Sequence, residues 1–204
     1  MEDIKKVCKY YIGTIIRPVK TFKALCVDKN QLKYTLILLI ICGALYLPIL
    51  IAYVGIGMVP WYSDLLKIPA EKYSLYLLIS YPFLIIGFIF DFGLIEFGGM
   101  LCGSKTSTRP VFVLVCYAIV IPLSLSILFE GIALFPILLT GNKIHTGFWI
   151  GWLISSYILQ IIWMFILLCI AAYISKELKK WQAIVIGVIT NIIHWSLGLA
   201  LLFY

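Results

Sequence analysis

Charge is what this chain has least of. Only 12% of its residues are Asp, Glu, Lys or Arg, and the acidic share is nine residues in 204. Soluble domains carry about 25% charged residues, so there are too few polar side chains here to cover a water-facing surface. Histidine is scarcer still, with two copies. The six cysteines (Cys8, Cys26, Cys42, Cys102, Cys116, Cys169) form no CxxC pair and no Cys/His cluster, which removes the spacing that a zinc site or a disulfide framework needs. No serine sits in a G-x-S-x-G elbow, and no glycine run has the form of a phosphate loop. These absences leave no catalytic or cofactor constellation, so neither an enzyme nor a bound cofactor is expected. No cleavable signal peptide is expected either, because the first long apolar run begins near Tyr34 and no small-residue cleavage pattern follows it.

What fills the chain instead is apolar. Hydrophobic residues make up 63% of it and the mean hydropathy is +1.09. A bilayer core about 30 Å thick needs about 20 apolar residues in a helix. Five runs meet that length, at about 34–57, 73–97, 111–130, 148–174 and 181–204. Backbone in lipid must satisfy its own hydrogen bonds, so these runs are expected as helices. Gly131 to Thr146, with Pro136, Gly141 and Asn142, reads as a loop. The expected fold class is all-α: a polytopic membrane protein with five transmembrane helices (34–204) behind N-terminal amphipathic interfacial helices (1–33).

The formal charge of +7 does not gather in one patch, which argues against nucleic acid as a partner. With five spans and the N-terminus in the cytoplasm, thirteen of the sixteen Lys and Arg fall on the inner face, and only Lys67, Lys72 and Lys143 fall outside. The positive-inside rule therefore predicts a multi-pass cell-membrane protein with a cytoplasmic N-terminus and an extracytoplasmic C-terminus. Its expected partners are anionic inner-leaflet headgroups. A protein partner at the cytoplasmic face and self-association are further options.

Residues 1–33 have their own periodicity. Ile4, Val7, Cys8, Tyr11, Ile12, Ile15 and Ile16 recur at intervals of three and four, with Lys5, Lys6 and Lys9 off the stripe. Pro18 ends that pattern and can open a second helix, in which Val19, Phe22, Leu25 and Cys26 form the stripe. Two short helices are expected in the headgroup region, apolar faces down. Lys5, Lys6, Lys9, Arg17, Lys20 and Lys23 then make the candidate lipid or partner surface.

Ionisable groups inside apolar runs are the other place to look for function, since burying them is expensive. Asp91 falls in the inner leaflet by helical rise, and Glu96 lies nearer the turn. Asp91 is read either as a proton or cation site or as a helix-to-helix contact, with Tyr117 as a candidate partner across the turn. The five-residue spacing turns Asp91 and Glu96 about 140° apart, so they are not an acid/base pair. Asn191 and His194 share a face of the last run, and Gln160 falls at the depth of His194. These groups are candidates for interhelical bonds, or for a polar path.

The order of features also resembles a family. Arg17-Pro18-Val19-Lys20-Thr21-Phe22 resembles the P-x-x-T-F entry before the first span in the prokaryotic branch of the YIP (Ypt/Rab-interacting protein) membrane family. Gly98, Gly99 and Gly103, followed by Tyr117-Ala118 and Pro122, are similar to that family's G-G-x-G-x-[FY]…Y-[AS]-x-x-P segment. Lys105 to Arg109 departs from the Gly-aromatic pattern. The resemblance implies a non-enzymatic membrane protein that scaffolds or shapes membrane or recruits a partner, since eukaryotic relatives are linked to small GTPases and membrane shaping. The rival reading is a small transporter, channel or lipid translocator using a path around Asp91, Gln160, Asn191 and His194.

Overall fold

The computed structural model describes residues 2–55, 70–140 and 147–202. Among these there are seven α-helices and no strand: α1 Glu2–Ile16, α2 Pro18–Val27, α3 Gln31–Gly55, α4 Ala70–Leu101, α5 Thr108–Thr140, α6 Gly147–Ser175 and α7 Lys180–Leu202. The expected connector around Pro60, Asp64, Lys67 and Pro69 lies outside the described residues, as do residues 141–146 with Lys143, and the side chains of Lys72 and Glu130. Helices α3, α5 and α6 each contain a segment long and apolar enough to cross a membrane: Gln31–Pro48, Thr108–Phe129 and Ile158–Ser175.

Two boundaries differ from expectation. Helix α5 does not stop at Glu130 but continues to Thr140, so residues 131–140 are helix and not loop. Ile132, Leu134, Phe135 and Ile137 resume the apolar run after one acid, and Pro136 is accommodated within the helix, as Pro48 is in α3. Helix α4 begins at Ala70 and ends at Leu101, four residues beyond the expected Phe97. Its end is a Schellman cap: Gly103 adopts φ +84°, its N–H bonds Met100 O at 2.9 Å, and Ser104 N–H bonds Gly99 O at 3.0 Å. That left-handed position is the conformational use of Gly103.

The core is organised around α5. Val113 through Ala118 are each 0% exposed, because α1, α2, α3, α4 and α6 all pack on this helix. α7 packs on α4 and α6 and completes the bundle.

The break at Pro18 falls where the sequence put it, with Pro18 opening α2 behind Arg17 as N-cap. α1 and α2 form a hairpin that packs part of the expected stripes on the bundle: Val7, Phe22 and Leu25 are buried, Phe22 and Leu25 at 0% exposure, whereas Ile4, Ile12, Ile16 and Val19 of the same stripes are exposed. They approach closely at Gly13, where a β-carbon would meet Thr21 Oγ1 at 2.6 Å.

Candidate functional site

The hairpin stands alongside the bundle. Asp3 pairs with Lys33 at 2.7 Å, near the start of α3. Further along α1, Tyr11 Oη lies 2.8 Å from Ser124 Oγ, and Ser124 is 16 residues past the start of α5 at Thr108, about 24 Å along its axis. Ser124 gives its proton to Ile121 O at 2.8 Å, so Tyr11 is the donor in that bond. Ile15 shares a crevice of about 210 Å³ with Pro122, Leu125, Phe129, Leu159 and Trp163, and Gln160 and Ser126 complete its wall. α1 therefore extends from the start of α3 along the side of α5, and the Arg17–Pro18 turn is the tip of the hairpin.

Asp28 holds the open end together. One carboxylate oxygen accepts Tyr10 Oη–H at 2.7 Å and the other accepts the Asn30 N–H at 2.9 Å. The Tyr10 bond holds the Asp28 carboxyl below its ordinary range, and burial followed by that same neighbour pushes the Tyr10 hydroxyl up. Lys6 sits 5.7 Å from the centroid of the Tyr34 ring. Arg109 Nη2 donates to Lys29 O at 2.9 Å and ties the return of the hairpin to the start of α5. The outward face carries Lys5, Lys9, Arg17, Lys20 and Lys23, all exposed. No acidic side chain among the described residues pairs with them.

A second feature is a clasp that sequence reasoning did not find. Lys176 is a buried lysine, 1% exposed at its side chain, whose Nζ bonds Glu96 Oε1 at 2.6 Å. The lysine stem lies on Gly99, where a β-carbon would stand 2.7 Å from Cγ and Cδ. Gly98 gives Ile186 the same room, at 2.9 Å from its Cγ1. The consecutive glycines thus admit one side chain from the α6–α7 turn and one from α7. The legible signal was a Gly-Gly pair one turn past an acid. Its lysine, hidden in the run Ser175 to Lys180, had no mark of its own.

Asp91 and His194 come together: His194 Nδ1 lies 2.5 Å from Asp91 Oδ2, and Asp91 is 0% exposed. Tyr117, the partner considered from sequence, does not supply that bond, and its hydroxyl has no partner. Around the pair, Asp91 Oδ1, Thr190 Oγ1, Asn191 Oδ1 and Trp195 Nε1 are buried without partners. Gly87 lies against the His194 ring, with a β-carbon position 3.5 Å from Cε1. Asn191 sits one turn from His194 on α7, as expected, whereas Gln160 lines the crevice under the hairpin. The polar residues named from sequence therefore divide into two places. Glu96 belongs to neither, being held in the clasp. No group of three or more His, Cys, Asp or Glu that could hold a metal occurs among the described residues.

These features match one known pattern: the Yip1 domain, whose family model aligns with residues 12–202, from the second half of α1 to the end of α7. No curated protein matches the chain, and no solved structure does.

Proposed function

The chain belongs to the Yip1-domain (YIP) family of membrane proteins, and from that premise we propose that it is a non-enzymatic, multi-pass protein that shapes the membrane through its N-terminal hairpin. In this reading α3 to α7 are five spans, with the N-terminus in the cytoplasm and the C-terminus outside. The thirteen-to-three division of basic residues supports that orientation. α3 has 25 residues and α7 has 23, little more than the about 20 that a bilayer core requires. The core then begins close to Gln31 and Lys180. Exposed apolar side chains start at the same level, with Leu32 and Leu36 on α3 and Trp181 and Ile184 on α7.

The observation that carries the proposal is the Tyr11–Ser124 contact. It holds the hairpin along the side of α5, and in this reading seven helices share the cytoplasmic side of the membrane and five the far side. With helices about 10–12 Å across, the two extra ones add roughly 160–230 Å² to one side only. An inclusion wider on one side bends a bilayer toward that side. The exposed lysines hold the upper hairpin to anionic headgroups, and the same basic surface is where a protein partner would dock.

Two measurements test this. Reconstituted into large vesicles, the protein should narrow the size distribution seen by electron cryomicroscopy. The hairpin-releasing variant Leu25→Asp should leave vesicles unchanged; equal remodelling by both sinks the wedge. A membrane-impermeant maleimide should label the exposed Cys8 and Cys102 from one and the same side, and labelling from opposite sides rejects the orientation.

A second reading is favoured by the unpartnered polar atoms around Asp91 and His194. A transport path would use Asp91, Asn191 and His194, without Gln160. Equal flux in proteoliposomes of wild type and Asp91→Asn would remove it.

A further inference from the structure

Helices α4 and α7 meet along a row that can be followed residue by residue. Ile186 fills the room over Gly98, and His194 lies against Gly87. Thr190 stands one helical turn from each on the same side of α7, 0% exposed and with Oγ1 unpartnered. Asp91, two turns before Gly98 on α4, meets His194. Asp91 precedes the end of α4 at Leu101 by ten residues, about 15 Å. His194 follows the start of α7 at Lys180 by fourteen, about 21 Å. With α4 and α7 as spans, the pair lies near the middle of a bilayer core about 30 Å thick.

The two members differ in access: the Asp91 side chain is 0% exposed and that of His194 15%. No other charged side chain among the described residues comes within ion-pair distance of either. On α4 the next acid, Glu96, is taken by Lys176 of α6. Cys169 of α6 gives its weak S–H to Ile184 O. Cys116 and Tyr117 of α5 and Cys42 of α3 are buried titratable side chains on the other helices packed against α4, and the Tyr117 hydroxyl is unpartnered. Asp91 Oδ1 is buried with no donor. A bare carboxylate there would carry a buried charge met by His194 alone, whereas one proton on the pair leaves it neutral.

We infer that Asp91 and His194 form a binding site for one proton, taken up from water at the exposed edge of the imidazole and held on the buried carboxyl. The step is a relay. A proton adds to Nε2 of the neutral ring, the Nδ1–H bond breaks as the Oδ2–H bond forms, and the N–H electron pair stays on Nδ1. The pair goes from one net negative charge to none, and the ring changes tautomer. Within one turn of His194 on α7, Thr190 Oγ1, Asn191 Oδ1 and Trp195 Nε1 are buried without partners. They include both acceptors and a donor. That mixture fits water, which accepts and donates, whereas a bare metal ion would leave the indole N–H unmet. Ile186 seated on Gly98 closes the row towards the cytoplasmic end, so exchange runs through His194. The site names the ion for the transport path above, and it rests on that reading only for passage across the membrane, not for binding.

The test is made on the full-length protein in lipid vesicles. Infrared spectra at neutral pH should show a protonated-carboxyl C=O band that shifts in heavy water. Asp91→Asn should remove the band, and Glu96→Gln should keep it. In His194→Gln the band should persist but exchange roughly 100-fold more slowly, since a positioned proton donor supplies about 10²–10⁴ in rate. His145→Gln leaves His194 as the one histidine without touching the site, and its nitrogen-15 resonances should report a neutral ring protonated on Nε2. An imidazolium or a ring protonated on Nδ1 overturns the site. So does a band that survives Asp91→Asn, or one that exchanges as fast in His194→Gln as in wild type. Proton flux, read with a pH dye inside the vesicles, separates the two readings. Equal flux in wild type and Asp91→Asn, with the band and tautomer as expected, supports the site and removes transport. Altered flux without the band overturns the site alone.

Discussion

The Tyr11 hydroxyl meets Ser124 Oγ at 2.8 Å across 113 positions of sequence. That one bond relates the depth of the hairpin to the depth of α5, because Ser124 is itself anchored to Ile121 O. Tyr11→Phe keeps the ring and removes the donor, so it should cost about 1 kcal/mol and lower the melting temperature of the solubilised protein slightly. Leu25→Asp should cost several times more, since it places a charge at a site that is 0% exposed. Limited trypsin digestion should then cut Leu25→Asp after Lys20, Lys23 and Lys29 far sooner than Tyr11→Phe. Equal cutting of the two would mean that the hairpin is not held by its apolar face.

The glycines sort themselves by what surrounds them. A β-carbon at Gly187 would strike Cys169 Sγ and stand 3.0 Å from the backbone N and Cα of Cys169; backbone cannot step aside. Gly187→Ala should therefore be the most damaging, at about 1–3 kcal/mol or more, with Gly99→Ala close behind because the Lys176 stem is locked by its ion pair. Gly93 has nothing within 4 Å, and Gly93→Ala should stabilise by up to about 1 kcal/mol through helix propensity. Glu177 adopts φ 52°, so Glu177→Gly should also stabilise, by roughly 0.5–1 kcal/mol. Melting curves in one detergent rank all four, and Gly93→Ala falling below Gly187→Ala would contradict the packing described.

How much of this was legible in the sequence depends on the range of the interaction. The long apolar helices and the break at Pro18 come from composition, length and proline stereochemistry, which are local. The over-short third run reflects Glu130, because one acid in an apolar stretch looks like an end unless the residues after it are weighed. The apolar stripes of the hairpin say that something apolar is covered, not what covers it. Phe22 and Leu25 carry the same pattern whether they meet acyl chains or α5 and α6. Asp91 and His194 were both singled out, yet their pairing across 103 residues leaves no local trace.

The open end of the hairpin should be acid-labile. The Tyr10 hydroxyl holds the Asp28 carboxyl below its ordinary value, and the Lys33 ammonium does the same for Asp3. A depressed folded-state pKa contributes stability that is present above the unfolded value and lost as pH falls through the folded one. The ordinary carboxylate value is about 3.9, so the latch should hold at pH 5 and above and loosen below about pH 4. Hydrogen exchange over residues 2–27, corrected for the intrinsic rate, should rise there while α5 stays protected. At neutral pH, Asp28→Asn should mimic the effect by exposing Cys26, whose thiol burial pushes up to about 11, to maleimide. If Cys26 labels no faster in Asp28→Asn than in wild type, Asp28 is not the latch.

The Lys176–Glu96 clasp separates what an ion pair contributes from what its absence costs. Lys176 is 1% exposed and Glu96 19% at the side chain, so both ions have lost most of their hydration. Removing one partner leaves the other charged and buried, at about 3–5 kcal/mol. Lys176→Met should show that full loss, because Met fills the channel over Gly99 yet strands Glu96. Glu96→Gln should cost less, since Gln still offers Lys176 an oxygen. Replacing both, as Lys176→Met with Glu96→Leu, should recover much of the loss, because the double variant buries no charge and keeps the volume. Chemical or thermal unfolding of Lys176→Met, Glu96→Leu and the double variant closes a double-mutant cycle. A double variant less stable than Lys176→Met alone would mean that the pair stabilises the clasp outright, and the Gly98–Gly99 step would then serve to seat an ion pair and not only to bring α4 close to α7.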